Sequence, residues 1–219
     1  MSKCVIFDLD GTILDTITTI TYYVNKTLTG EGIPTVTVDE CKYFAGNGAG
    51  LLIERALASK GITDEAEIER ILVIYKKNYD DAPLYLTEPF AGIKEMLAKL
   101  REAGLKLAVV SNKPHSASLP IVKHFFGDAF DAVSGAIDGL PIKPDPTIPG
   151  RILSELDIPA DRSIFVGDTY VDMETGKNLG SSKVIGVLWG FRPREELIGA
   201  GADATVTTAD ELYAEILKA

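Results

Sequence analysis

Two aspartates stand close together directly after a short apolar stretch near the start of the chain. Residues 4–7 are apolar and include β-branched members, and Asp8, Asp10 and Gly11 follow at once. Such a run predicts a buried strand that ends in a loop. Because ligands bind at the carboxyl ends of parallel strands, the paired acids are candidates for holding a cation or moving a proton. The alternative is an acidic turn in which an aspartate caps a helix.

Two further apolar runs end in polar residues. Residues 105–110 lead into Ser111-Asn112-Lys113, and residues 163–166 lead into Gly167-Asp168-Thr169, with Asp172 one turn later. If the three strands are neighbours, their loops gather carboxylates, a hydroxyl, an amide and an ammonium group in one crevice.

A crevice of this composition suits a hard divalent ion. Mg²⁺ takes oxygen ligands and keeps several waters, so a few carboxylates and a phosphate oxygen are enough. The sequence offers no histidine or cysteine set with the spacing of a zinc or copper site. Ser111 and Asn112, at a predicted helix start, could bind phosphate oxygens. Lys143, beside Pro144, could neutralise charge on a transferred phosphoryl group, or could be a surface lysine in a proline-rich turn.

The elements that must position these side chains fall into two groups. From residue 83 onward, helices alternate with predicted strands at 105–110, 130–134, 163–166, 183–188 and 204–207, which predicts an α/β fold with a doubly wound parallel sheet. Residues 16–82 carry only helical patterns. We therefore predict a catalytic core made of residues 1–15 and 83–219, interrupted by an all-helical domain at residues 16–82.

Composition limits the classes of function. A net charge of −10 argues against binding to nucleic acid or to anionic membranes. No stretch is as long and apolar as a membrane span, the first residues lack the pattern of a secretory signal, and Cys4 and Cys41 have no paired framework. These features predict a cytoplasmic enzyme with reduced thiols, either a monomer or a homodimer.

The polar strand ends also resemble a known family. Asp8-Leu9-Asp10-Gly11-Thr12, Ser111-Asn112-Lys113, Lys143-Pro144 and Gly167-Asp168-Thr169 with Asp172 resemble, in order, the four motifs of the haloacid dehalogenase superfamily. The resemblance covers nearly the whole chain, and it implies a Rossmann-like core whose insert is a helical cap. Within that superfamily, Gly46-Asn47-Gly48 and Trp189-Gly190-Phe191-Arg192 are similar to segments of phosphoglycolate phosphatases.

The resemblance implies a role for each matched residue. Asp8 is the expected nucleophile, which forms an aspartyl-phosphate, and Asp10 is the expected general acid and base. The expected metal ligands are Asp8, Asp168, the backbone carbonyl of Asp10, and Asp172 at or just behind the metal shell. The expected phosphate and substrate contacts are Lys143, Thr12, Ser111, Asn112, Gly46, Asn47 and Gly48.

The implied function is Mg²⁺-dependent hydrolysis of a small phosphorylated metabolite, with 2-phosphoglycolate as the best single candidate. An acid at Asp10 favours phosphoryl transfer over dehalogenation, because a dehalogenase does not protonate an alkoxide leaving group. The alternatives are a phosphosugar mutase similar to β-phosphoglucomutase, a pyrophosphatase or nucleotidase of the same superfamily, and a receiver-like domain that accepts phosphate without turnover. Lys113 could steer an anionic substrate or be exposed, and Trp189 and Phe191 are expected to pack.

Overall fold

The chain divides into two compact units. The structure is a computed structural model, and it describes residues 3–80, 82 and 84–219. One unit consists of Met1–Asp15 and Pro89–Ala219, and the other is Thr16–Glu88. The predicted boundary at Pro83 lies outside the described residues. Residues after it still belong to the second unit, where Thr19 Oγ1 donates to the Tyr85 carbonyl at 2.6 Å and lies 2.9 Å from Thr87 Oγ1.

The first unit is built on a parallel sheet. Its strands are β1 (Cys4–Phe7), β4 (Lys106–Pro114), β5 (Ala132–Ala136), β6 (Ser163–Gly167), β7 (Lys183–Val187) and β8 (Ala204–Val206). Among the described residues they form a six-stranded sheet in the order β5-β4-β1-β6-β7-β8, and every pairing is parallel. The predicted α/β class with a doubly wound parallel sheet is confirmed.

The register of the sheet brings the polar strand ends together. Phe7, the last residue of β1, pairs with Val109 of β4 on one side and with Val166 of β6 on the other. The chain builds β4 and β5 outward on one side of β1 and then β6, β7 and β8 on the other. The strand order therefore reverses beside β1, which is the position at which open α/β sheets bind ligands.

Helices cover the sheet and bury its apolar residues. They are α5 (Ile93–Glu102), α6 (His115–Phe126), α7 (Thr147–Glu155), α8 (Tyr170–Leu179), α9 (Arg194–Gly199) and α10 (Ala209–Leu217), with a short 3₁₀ helix at Ala160–Arg162. All four residues of β1 are fully buried, and Cys4 and Ile6 belong to a core cluster with Ile152 of α7 and Met173 of α8. Cys4 is thus a small buried hydrophobic residue at the centre of the sheet.

The second unit is helical. Its helices are α1 (Ile17–Gly30), α2 (Val38–Phe44), α3 (Gly48–Ala58) and α4 (Glu65–Asp80). Thr37 caps α2 through a reciprocal pair of hydrogen bonds with Glu40, a motif that satisfies two otherwise unpaired amides. In the described part of the chain, no helix combines the length and the apolar character needed to cross a membrane.

Three local features differ from the sequence expectation. β4 continues through Ser111-Asn112-Lys113 to Pro114, because the pairing with β5 resumes at Pro114 and Ala136 after a register shift. The glycine-rich sequence at 46–50 predicts a flexible loop, but α3 already begins at Gly48 and buries Leu52 and Ile53. Two-residue strands β2 (Leu14–Asp15) and β3 (Glu88–Pro89) pair with each other and are too short to leave a sequence pattern.

Candidate active site

Asp8 is the first residue beyond the central strand. Its backbone amide donates to the Val166 carbonyl at 2.9 Å, which continues the sheet pairing and fixes the start of the loop. Its side chain accepts a hydrogen bond from Lys143 Nζ at 2.6 Å. Only 7% of Asp8 is exposed, so the carboxylate is oriented by one strong, charge-assisted contact in a mostly dry site.

Lys143 bridges two carboxylates at this edge of the sheet. Its ammonium group lies 2.6 Å from Asp8 Oδ1 and 2.7 Å from Asp172 Oδ1, and the side chain is 3% exposed. Burial alone would lower the pKa of Lys143, but the carboxylates of Asp172 and Asp8 outweigh burial and hold that pKa above its ordinary value. Lys143 is therefore a fixed positive charge next to Asp8, and the alternative of an exposed surface lysine is wrong.

Asp172 lies in the first turn of α8 and is held from its other oxygen. Asp172 Oδ2 accepts from the Thr169 amide at 3.0 Å and from the Thr169 hydroxyl at 2.7 Å. A Cβ at Gly167 would lie 2.1 Å from Asp172 Cβ, so only glycine fits there. The strand end and the helix start thus close tightly around this carboxylate.

Asp168 is held by groups from two other loops. Thr12 Oγ1 donates to Asp168 Oδ1 at 3.1 Å, and the Phe191 amide donates to Asp168 Oδ2 at 2.7 Å. A Cβ at Gly11 would lie 2.2 Å from Asp168 Oδ2, and one at Gly190 would lie 2.4 Å from the same atom. Two glycines therefore allow the backbone to approach the carboxylate from two sides.

The carboxylates of Asp8, Asp168 and Asp172 form a buried cluster. Among the residues that the structure describes, they are grouped so that one oxygen from each lies within 4.8 Å of the others. Burial raises the pKa of Asp8 to about 7, against the opposing effect of Lys143, and burial followed by the neighbouring Asp172 raises the pKa of Asp168 well above its ordinary value. Three carboxylates beside one ammonium leave a formal charge of −2, which an oxygen-seeking divalent cation would balance. The donor set therefore fits Mg²⁺.

Asn112 holds the loop that carries Lys143. Its Nδ2 donates to the Lys143 carbonyl at 3.1 Å, and its Oδ1 accepts from the Lys143 amide at 2.9 Å. This reciprocal pair connects β4 to a loop that is 31 residues distant in sequence. Beside it, Ser111 is 3% exposed and its Oγ accepts from the Lys113 amide at 3.2 Å, which leaves the hydroxyl proton to donate elsewhere.

Asp10 has a different partner. Lys113 Nζ lies 3.2 Å from each of the two oxygens of Asp10. The side chains are 8% exposed for Lys113 and 17% for Asp10, so Asp10 is the more accessible of the two aspartates after β1. Its carboxylate lies outside the three-carboxylate cluster, which agrees with a metal contact through the backbone carbonyl only.

Comparison with known proteins assigns the chain to a family. The model of the haloacid dehalogenase-like hydrolases matches residues 5–187, a range that contains all four motifs. The chain belongs to the haloacid dehalogenase-like hydrolases. The family predicted from the motifs is thereby confirmed.

Individual members of this family share most of the chain. A phosphoglycolate phosphatase from Pseudomonas syringae pv. tomato is 33% identical over 82% of this chain and 67% of its own length, and one from Aquifex aeolicus is 32% identical over 86% of each chain. A solved structure of a candidate phosphoglycolate phosphatase from Lactobacillus delbrueckii subsp. bulgaricus is 34% identical, covers 99% of each chain and superimposes with a TM-score of 0.94.

Within this haloacid dehalogenase-like core, two residues have contacts other than those expected. The hydroxyl of Thr12 is fully buried and donates to Asp168, so it orients a carboxylate instead of facing a substrate. The side chain of Asn112 is bound to the backbone of Lys143. Both side chains thus bind other parts of the site, Asp168 for Thr12 and the Lys143 backbone for Asn112, and their assignment to substrate binding remains a prediction.

Three of the expected substrate-binding residues, Gly46, Asn47 and Gly48, belong to the helical unit. Asn47 Oδ1 accepts from Arg55 at 3.0 Å, and the same guanidinium nitrogen donates to the Phe44 carbonyl. Gly46 and Gly48 have positive φ angles of 110° and 84°. The substrate contacts assigned to Gly46, Asn47 and Gly48 remain a prediction.

Sequence reasoning missed part of the support for Asp168. Trp189 Nε1 donates to the Thr12 carbonyl at 3.0 Å, and the neighbouring Phe191 supplies its amide to Asp168. The available signal was the Trp189-Gly190-Phe191 segment directly after a predicted strand. The contact to Asp168 comes from a backbone amide, which no residue type reveals.

Proposed function

We propose that the protein is a Mg²⁺-dependent phosphatase that hydrolyses a phosphate monoester through an aspartyl-phosphate at Asp8. The observation that carries the proposal is the position of Lys143, which is buried between Asp8 and Asp172 at 2.6 and 2.7 Å in a site that also contains Asp168. A lysine that served only a structural ion pair would need one carboxylate partner. Three carboxylates around one lysine leave a net negative charge, and such a site is better suited to binding a cation and a phosphoryl group.

Asp8, Asp168 and the Asp10 carbonyl would hold the ion, with Asp172 beside them. Bound there, Mg²⁺ supplies positive charge against the phosphoryl oxygens. Lys143 supplies a second positive charge, and the Ser111 hydroxyl supplies a hydrogen-bond donor. Because these groups are fixed before the substrate arrives, they stabilise charge without reorganisation.

In the first step, Asp8 attacks phosphorus and the bond between phosphorus and the ester oxygen breaks. Protonated Asp10 gives its proton to the departing alkoxide, which leaves as an alcohol. In the second step, Asp10 as carboxylate takes a proton from water, and the hydroxide attacks the phosphorus of the aspartyl-phosphate. Phosphate leaves, and Asp8 is restored as a carboxylate.

The substrate we propose is 2-phosphoglycolate. Relatives that carry that activity in their names are 30–36% identical to this chain over most of its length. The resemblance of Gly46-Asn47-Gly48 and of the Trp189-to-Arg192 segment to phosphoglycolate phosphatases supports the same substrate.

The test is a phosphate-release assay on a panel of phosphorylated metabolites, with Mg²⁺ and with excess EDTA. We expect turnover only with Mg²⁺ and the highest kcat/KM for 2-phosphoglycolate. Hexose 1-phosphate in the same panel tests the mutase alternative, since hexose 6-phosphate formed without free phosphate would contradict hydrolysis. A single phosphorylation without turnover would instead indicate a receiver-like domain.

A further inference from the structure

Lys113 is a positive charge on the leaving-group side of the site. Its ammonium group lies 3.2 Å from both oxygens of Asp10, the residue proposed to protonate the leaving group. The pairing spans 103 residues of sequence and the lysine side chain is 8% exposed. The lysine is therefore held at this position by the fold and is not a mobile surface side chain.

The two lysines of the site, Lys143 and Lys113, lie next to different acids. Lys143 forms ion pairs with Asp8 and Asp172, and Lys113 forms an ion pair with Asp10. Lys143 contacts Asp8 and Asp172, which places it at the phosphoryl group. Lys113 contacts both oxygens of Asp10, which places it at the leaving group.

The geometry sets the distance over which Lys113 can act. A leaving-group oxygen that accepts from Asp10 lies about 3 Å from that carboxylate, and Lys113 lies 3.2 Å from it on its own side. A negative group one carbon away from the ester oxygen is thus within reach of the ammonium by a small side-chain shift. The contacts of 3.2 Å are longer than the usual 2.7–2.9 Å of charge-assisted pairs.

The charge of the whole chain favours a local cation that faces an anionic substrate. A net charge of −10 repels an approaching anion. A substrate with a carboxylate beside its phosphate ester carries negative charge at both ends. Lys143 and the metal would balance the phosphate end only.

From these contacts we infer that Lys113 is a specificity-determining residue that selects leaving groups with a carboxylate next to the ester oxygen, the class of phosphorylated 2-hydroxy acids. This inference rests on the proposed phosphatase activity and gives its substrate class a physical basis in one side chain. A residue that only positioned Asp10 would serve every phosphate ester equally, and this difference makes the two roles separable.

The test compares two esters that differ only in the leaving group, 2-phosphoglycolate and 2-hydroxyethyl phosphate. The quantity measured is the ratio of their kcat/KM values for the wild type, Lys113→Met and Lys113→Arg with saturating Mg²⁺. We expect the wild type to prefer 2-phosphoglycolate at least about tenfold. We expect Lys113→Met to lower that ratio by about 10- to 100-fold, the range for loss of a hydrogen bond to a charged group, and Lys113→Arg to restore most of it.

The matched control is Lys106→Met. Lys106 stands at the other end of β4, seven residues and about 23 Å away at strand spacing, and pairs with Asp131 at 2.8 Å. The Lys106→Met variant loses the same charge from the same strand but far from Asp10. Its ratio of kcat/KM values for the two esters should therefore equal that of the wild type. The melting temperature of each variant separates loss of folding from loss of selectivity.

Each outcome has a distinct meaning. An equal loss on both esters in Lys113→Met, or an unchanged ratio, overturns the inference while the phosphatase function stands. A wild type that hydrolyses both esters equally well also overturns the inference about Lys113 and leaves the phosphatase function in place. A wild type inactive on both esters with Mg²⁺ overturns the proposed function, and the inference that depends on it falls as well.

Discussion

Asp8 and Asp10 are two residues apart, yet their surroundings suit them to the different tasks that we propose. Asp8 is 7% exposed and shares Lys143 with Asp172. Asp10 is more accessible and pairs with Lys113 instead. A nucleophile needs a fixed direction of attack, and an acid–base group needs access to the leaving group and to water. The contacts of the two aspartates match this division.

The raised pKa values of the carboxylate cluster predict a pH-dependent effect of the metal on stability. In the metal-free protein the pKa of Asp8 is raised from 3.8 to about 7, and that of Asp168 is raised above 3.8. The folded state then binds more protons than the unfolded state, so this contribution to stability is complete at low pH and is lost as pH rises through about 7. Mg²⁺ requires the ionised carboxylates and should offset that loss.

We therefore expect the increase in melting temperature caused by Mg²⁺ to be small near pH 5 and to grow up to about pH 8. The difference between Mg²⁺ and EDTA at each pH is the useful quantity, because the effect of pH on every group outside the cluster is the same in both measurements. Scanning calorimetry across this range measures it. An increase that is the same at every pH would contradict the account.

At the scale of elements, the loop that carries Lys143 depends on Asn112. Replacing Asn112 with Ala removes two hydrogen bonds and leaves the amide and carbonyl of Lys143 without them, at a cost of about 1–3 kcal/mol for each buried group. We expect a lower free energy of unfolding in urea and a fall in kcat of about tenfold or more.

Asn178→Ala is the control for this substitution. Asn178 Nδ2 donates to the carbonyl of the next residue in the loop, Pro144, at 3.0 Å in an exposed position. Its loss should cost less than about 1 kcal/mol and leave kcat near that of the wild type. If Asn112→Ala behaved like Asn178→Ala, Asn112 would not hold Lys143 in place.

The turn after β7 can approach Asp168 closely only because residue 190 is glycine. A Cβ added there would lie 2.3 Å from Asp168 Cβ and 2.5 Å from the Gly11 carbonyl oxygen, so Gly190→Ala must displace Asp168 or the turn. We expect the dissociation constant for Mg²⁺, measured by calorimetry, to rise at least about tenfold. Gly199→Ala, which meets no atom within 4 Å, should bind Mg²⁺ like the wild type, and equal affinities in both variants would contradict this account.

The elements also show how far the sequence can predict the site. Asp8, Ser111 and Asp168 could be placed together because each follows an apolar run and parallel strands share an edge. The pairing of Asn112 with Lys143 could not be predicted, because it depends on the path of a loop with no apolar pattern. The same holds for Phe191, whose contribution to Asp168 comes from the backbone.

At the scale of the whole molecule, the chain leaves and re-enters the first unit at a single place. β2 ends at Asp15 and pairs with β3, which ends at Pro89, and the Phe90 amide donates to the Ile13 carbonyl at 3.3 Å. Neighbouring strands lie about 4.8 Å apart, so a short linker can join the two ends. The insert was predicted from sequence as a stretch with only helical periodicity, and the change of pattern at residue 83 set its predicted second end, whereas the second unit extends to Glu88.

Replacing Thr16–Glu88 with a short Gly-Ser linker should leave a folded core. The sheet and the carboxylate cluster both lie within the first unit. We expect a cooperative thermal transition that Mg²⁺ still shifts upward. A protein without a cooperative transition, or one that Mg²⁺ does not stabilise, would show that the first unit depends on the second.

The central claim is that Asp8 becomes phosphorylated and that Asp10 is needed to release the phosphate. The most direct measurement uses Asp10→Asn with 4-nitrophenyl phosphate and Mg²⁺, since this leaving group departs without protonation. We predict a rapid burst of about one nitrophenolate per chain, negligible further turnover, phosphate on the peptide that contains Asp8, and no burst in Asp8→Asn. Continued turnover by Asp10→Asn, phosphate on another residue, or an equal burst from Asp8→Asn would contradict the mechanism.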